Sequence, residues 1–173
     1  DDIKQNSVWA IFGSLVIVFF YILLRFQKWQ FSLGAVSAVF HDVLIVLGIF
    51  SLTYKIMPFN MEINQAFIAA LLTVIGYSLN DTVVVFDRIR EFFRIHKSWD
   101  NETTVNTALN STLSRTLNTS LTTLIVLIAI FVFGGESIRG FMFALIIGVM
   151  VGTYSSVFIA TPIMFDSYTK KVS

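Results

Sequence analysis

Residues 8–24, VWAIFGSLVIVFFYILL, carry no charge at all, and that run alone excludes most soluble folds. At 1.5 Å per residue, about 20 apolar residues cross the roughly 30 Å hydrocarbon core of a bilayer. Comparable stretches follow at about 31–53, 64–86, 105–133 and 138–162. The chain is 55% hydrophobic and 13% charged, whereas a soluble domain carries about 25% charged residues. The expectation is therefore an all-α membrane protein, a single transmembrane domain over 1–173 built as a bundle of five spanning helices. Two prolines in the whole chain suit long helices. With no cysteine, disulfides and thiolate metal sites are excluded.

Basic residues orient the bundle. One side collects Arg25, Lys28, Arg88, Arg90, Arg94, Lys97, Lys170 and Lys171; the other has Lys4, Lys55 and Arg139. The positive-inside rule assigns the richer side to the cytoplasm, with the N-terminus outside and the C-terminus inside. The opening DDIKQNS lacks the basic n-region and small-residue cleavage site of a signal peptide. It reads as the end of something upstream.

Within this apolar background, polar groups stand out. The segment 76–91, GYSLNDTVVVFDRIRE, interrupts the third span with Asn80 and Asp81. Asp81 lies about 7–8 Å inside the cytoplasmic boundary of its helix. A second polar stretch, 110–123, carries Arg115, the arginine expected inside the membrane. A lone charge in hydrocarbon is expensive, so each needs a partner or a wet cavity. Arginine does not release its proton, which leaves Asp81 as the group able to switch, with Arg115 as its pairing partner. Ser111, Arg115, Asn118 and Thr122 share one helical face, as do Thr73, Gly76 and Asn80. Both stripes are expected to face the bundle interior. The competing readings are a static Asp81–Arg115 pin and simple hydroxyl glue between helices.

His41 and Asp42 fall near the middle of the second span. Consecutive residues point about 100° apart on a helix, so one is expected to line a proton path and the other to bond a neighbouring helix. His96 lies too far in depth to complete a metal site with them. Asp87 with Arg90, and Glu91 with Arg88, read as ion pairs on a solvated helix end, with arginines at anionic headgroups. Gly140, Ala144, Gly148 and Gly152 recur every fourth residue in the fifth span, a ridge for close helix packing. No nucleotide loop, nucleophilic constellation or metal cluster is visible, so an enzyme is not expected, and neither is a nucleic-acid site.

Three long motifs carry a resemblance: GYSLNDTVVVFDRIRE, RTLNTSLTTL (115–124) and GGESIRGFMFALIIGVMVGTYSSVFIATP (134–162), with FHDVLIVLG (40–48) in support. In order and over nearly the whole chain, they resemble the SecF family of bacterial protein export, or the SecF half of fused SecDF. The resemblance implies the RND superfamily and an RND-type half-bundle. That family has six spans, with a periplasmic domain between the first and second. This chain departs from it by having five and beginning where the second should start. Asp81 is similar to the family's proton-pathway carboxylate and Arg115 to its functional arginine, while a further essential aspartate belongs to SecD.

The implied function is proton-motive-force-driven help to the Sec preprotein translocase in the bacterial plasma (inner) membrane. No cofactor is implied beyond the proton gradient. The implied partners are SecD, separate or fused, SecYEG, YajC, YidC, the preprotein and membrane lipids. The rivals are an RND exporter of small molecules or lipids, and a structural scaffold. An intramembrane protease is poorly served, because no second aspartate is assured at the depth of Asp81.

Overall fold

The computed structural model describes residues 2–169, with side chains described from residue 9. The basic residues Lys4, Lys170 and Lys171, used above for orientation, lie outside the described side chains. Among the described residues the chain is helical throughout: α1 (Asp2–Phe26), α2 (Trp29–Thr53), α3 (Gln65–Ile95), α4 (Asn101–Phe133), α5 (Glu136–Ser155), a π-helical turn (Ser156–Ala160) and α6 (Thr161–Thr169). Five helical stretches are long and apolar enough to cross a membrane, the last running from Glu136 through Thr169.

Local chemistry explains the boundaries. The Asn64 side chain accepts from the Phe67 amide at 3.1 Å and so starts α3. Asp100 accepts from the Thr103 amide at 2.9 Å and starts α4, four residues before the expected 105. Each cap satisfies an amide that the helix itself leaves free. At the tight α1–α2 junction Gln27 adopts φ 56°, the left-handed conformation that commonly closes a helix. At 31 residues, α3 is about 46 Å long, so its Asp87–Ile95 end projects beyond the hydrocarbon.

The fifth span departs from the expected single helix over 138–162. The π-turn interrupts it, and Pro162 sits inside the first turn of α6 instead of ending the span. Proline has no amide to give the preceding turn, and a π-turn is one way a helix absorbs such a mismatch. Thr161 Oγ1 donates to the Ser156 carbonyl at 3.0 Å, across this widened turn.

Two larger apolar clusters hold the bundle, one toward each end, with a small third of Val39, Val43 and Ile75. At one end Phe26 stacks on Phe31 at 5.0 Å, and Phe31 meets Phe86 edge-on at 5.0 Å, with Ile89 and Met164 beside them. At the other, Phe50, Phe67, Leu71, Val74, Ala144 and Leu145 pack together. Glycines bring α3 and α5 into close contact between these clusters. A Cβ on Gly148 would collide with Val74, and one on Gly152 would lie 3.0 Å from the Ser78 Cβ. Gly140 abuts the Asn60 carbonyl, where a Cβ would come within 2.6 Å, and Ala144 is fully buried. By contrast, α4 buries residues no further along than Ser120 and leaves Ile125, Val126, Val132 and Phe133 exposed. Such a surface suits lipid or another membrane protein.

Candidate functional site

Between the apolar clusters lie two buried carboxylates, one on each side of the α3–α5 contact. Ser78 and Asp81 are three residues apart on α3 and therefore neighbours on its inner surface. Thr153 and Ser155 on α5 flank the same contact. Asp42, from α2, is completely buried. Its Oδ2 accepts from Ser78 Oγ at 2.5 Å and from Ser155 Oγ at 2.7 Å. Its Oδ1 lies 3.1 Å from His41 Nδ1. The two expected alternatives for His41 and Asp42 thus merge. Asp42 points inward and ties three helices together, while His41 bonds to Asp42 and stays partly exposed near Tyr154.

Asp81 is held more loosely. It is 3% exposed, yet among the described residues its Oδ2 accepts only from Ser120 Oγ and Thr153 Oγ1, both at 3.4 Å. These hydroxyls are 2.5 Å from each other. Tyr77 Oη extends the chain, 3.4 Å from Ser120 Oγ and 3.5 Å from Thr123 Oγ1. Each hydroxyl has one proton to donate, and both Ser120 and Thr153 have a backbone carbonyl as an alternative acceptor. The chain can therefore reorient. It donates to Asp81 when the carboxylate is ionised, and it accepts from Asp81 when a proton sits there. A hydroxyl chain of this kind can pass a hydrogen bond in either direction.

The structure corrects the expected Asp81–Arg115 ion pair. No ion pair among the described residues includes Arg115, which is exposed. Arg115 instead lines a cleft of about 460 Å³ between α3 and α4, with Asp87, Arg88, Glu91 and Ser111. There Arg88 bonds to Ser111 at 2.8 Å and to Glu91 at 2.7 Å. Both polar stripes are also reassigned: Ser111, Arg115, Asn118 and Thr122 on α4, and Thr73, Gly76 and Asn80 on α3, are exposed. The inner face of α4 is Thr104, Ala108, Thr112, Thr116 and Ser120. The stretch 110–123 carries hydroxyls on two faces, beside an exposed stripe of Leu113, Leu117 and Leu121, so periodicity could not choose between the two polar faces.

Sequence reasoning missed Ser78, Ser120, Thr153 and Ser155 as ligands of the carboxylates. A signal was present for Thr153 and Ser155, which follow the Gly148–Gly152 ridge where helices approach closely enough for a short side chain to reach across; Ser78 and Ser120 carried none. No group of three His, Asp or Glu side chains among the described residues is placed to hold a metal ion.

Buried carboxylates set in a bundle of long apolar helices, beside an exposed polar face, define a polytopic α-helical membrane protein. Residues 1–170 match the family model described as protein export membrane protein SecD/SecF, C-terminal. The chain belongs to that family and corresponds to the C-terminal part of SecF. It is 57% identical over 166 residues to a protein translocase subunit SecF of Rhodothermus marinus, covering 96% of this chain and 54% of that one. The SecF of Haemophilus influenzae is 43% identical, with 96% and 49% covered. A crystal structure of SecDF in a super-membrane-facing form superposes with a TM-score of 0.86 at 38% identity, covering 99% of this chain and 22% of that one. The chain thus spans about half the length of these SecF relatives.

Proposed function

We propose that this chain is the membrane part of a proton-motive-force-driven accessory subunit of the Sec preprotein translocase. One observation carries the proton reading: a nearly inaccessible Asp81 has only two long hydrogen bonds, both from hydroxyls that can reverse direction. Family membership supplies the translocation context. The subunit performs no bond chemistry and takes no cofactor; it moves protons and converts their binding into helix movement.

The exposed polar face of Asn80, Arg115, Asn118 and Thr122 is unsuited to lipid. We assign it to the contact with SecD, whose own carboxylate would then complete the path opposite Arg115. SecYEG, YajC, YidC and the emerging preprotein are the wider partners. The basic residues gathered at one end, where Arg25 pairs with Asp87 at 2.9 Å and Arg90 donates to the Arg25 carbonyl, support placing that end in the cytoplasm of a cell with the chain in its inner membrane.

The test is export of a preprotein into inverted membrane vesicles carrying the complete complex, with Asp81→Asn against wild type, with and without a proton gradient. Asparagine keeps the shape and abolishes titration. Loss of the gradient-dependent part of export with normal complex assembly is the expected result. An undiminished response to the gradient refutes a proton-carrying Asp81. A static pin instead predicts that Asp81→Asn with Arg115→Gln restores export, an outcome the absence of a direct bond between the two argues against.

A further inference from the structure

At the end of the bundle opposite Lys55, the loop after α3, the α1–α2 junction and α6 enclose a cleft of about 410 Å³. Lys28, Arg90, Arg94 and Lys97 contribute to its wall, and neither aspartate nor glutamate does. The neighbouring cleft around Arg115 differs, because Asp87 and Glu91 balance its arginines.

The nearby carboxylates are already engaged. Asp87 serves both Arg25 at 2.9 Å and Arg90 at 3.7 Å. Glu91 binds Arg88 at 2.7 Å. Asp100 caps α4 through the Thr103 amide. Among the described residues, Lys28, Arg94 and Lys97 have no ion-pair partner. Aromatic side chains frame the cleft. The Lys28 ammonium sits 4.5 Å over the Tyr168 ring, and Tyr168 stacks on Phe93 at 5.2 Å. His96 stacks on Trp99 at 3.9 Å and fixes the loop that carries Lys97.

We propose that this cleft binds a phosphate group, that of an anionic membrane-lipid headgroup. Four cations on one cleft, three of them without an ion-pair partner among the described residues, are complementary to a phosphodiester, and the arginine forks favour it. The surroundings favour a lipid over soluble phosphate. Trp29 and Trp99 are partly exposed at this end, the position of interfacial aromatics. Leu24 and Ile95, close in sequence to the cleft residues, are 79% and 58% exposed and offer apolar surface to acyl chains. The assignment rests on the membrane fold and is independent of how Asp81 handles protons.

The experiment uses the full-length protein with its SecD partner, reconstituted in nanodiscs containing trace spin-labelled phosphatidylglycerol or phosphatidylcholine. Wild type is expected to immobilise phosphatidylglycerol preferentially. A cation at an anionic surface is worth about a fivefold gain in binding, so Arg94→Gln with Lys97→Gln is expected to cut the preference about tenfold or more. Lys55→Gln, at the other end, leaves it unchanged. Equal immobilisation of both lipids, or an unchanged preference in the double variant, overturns the proposal. Millimolar inorganic phosphate is added at constant ionic strength against chloride. Failure to displace the labelled lipid supports the headgroup, whereas displacement assigns the site to soluble phosphate and overturns the lipid assignment.

Discussion

Replacing Gly148 by alanine tests whether the α3–α5 contact positions both carboxylates. A Cβ at this position would lie 2.8 Å from Val74 Cγ1 and 2.9 Å from Val74 Cβ, with Cγ2 closer still. Carbon atoms rest at about 3.5–4.0 Å, so the helices must separate by about 1 Å. Valine has essentially one side-chain rotamer in a helix and offers little escape. Overpacking of this kind costs about 1–3 kcal/mol, and the rigidity on both sides favours the upper half of that range. Ser78 sits one turn beyond Val74, so the same displacement loosens its bond to Asp42. Thermal unfolding of the full-length protein in detergent reads the loss. Val74→Ala in the same chain removes both Cγ collisions and leaves the Cβ contact, so recovery is expected to be partial, with a coupling of about 1–2 kcal/mol in the double-mutant cycle. A Gly148→Ala protein as stable as wild type, or simple additivity of the two changes, refutes the argument that this contact is closed to a methyl group.

Two further outcomes follow from the hydrogen bonds. Asp42→Ala leaves the Ser78 and Ser155 hydroxyls without their buried acceptor and opens a cavity, a loss of about 2–4 kcal/mol. Asp42→Asn keeps an acceptor oxygen for both and is expected to cost less than half as much in the same melting assay; equal losses would show that the two serines do not depend on Asp42. The α4 cap carries a pH dependence: hydrogen bonds from Thr103, first its amide and then its hydroxyl, hold the Asp100 carboxyl below its usual range. Its stabilisation is present above the unfolded value near 3.8 and is lost as pH falls through the lower folded value. Amide exchange in the first turn of α4 is expected to rise in acid, and Asp100→Asn, which caps without titrating, is expected to remove that rise.

The bilayer imposes a length rule, and a length rule can be read along the chain. Five spans, their order and the projecting end of α3 follow from residue type and a rise of 1.5 Å per residue. The spacing of Gly140, Ala144, Gly148 and Gly152 marks a close-packing ridge, because a missing side chain is visible in the sequence wherever the partner lies. Tertiary structure alone decided which face of each polar helix turns inward. Along 110–123 hydroxyls lie on more than one face of α4, and packing buries Thr112, Thr116 and Ser120 while leaving Arg115 outside. A charge was assigned to its opposite by chemistry, but Asp81 found hydroxyls from α4 and α5 instead. Such short side chains bond only across a gap set by helix packing, and that distance exists only once α3, α4 and α5 have come together. The π-turn before Pro162 belongs to the same class, for the choice among a kink, a break and a widened turn is made by the neighbours that fix the helix axis on either side.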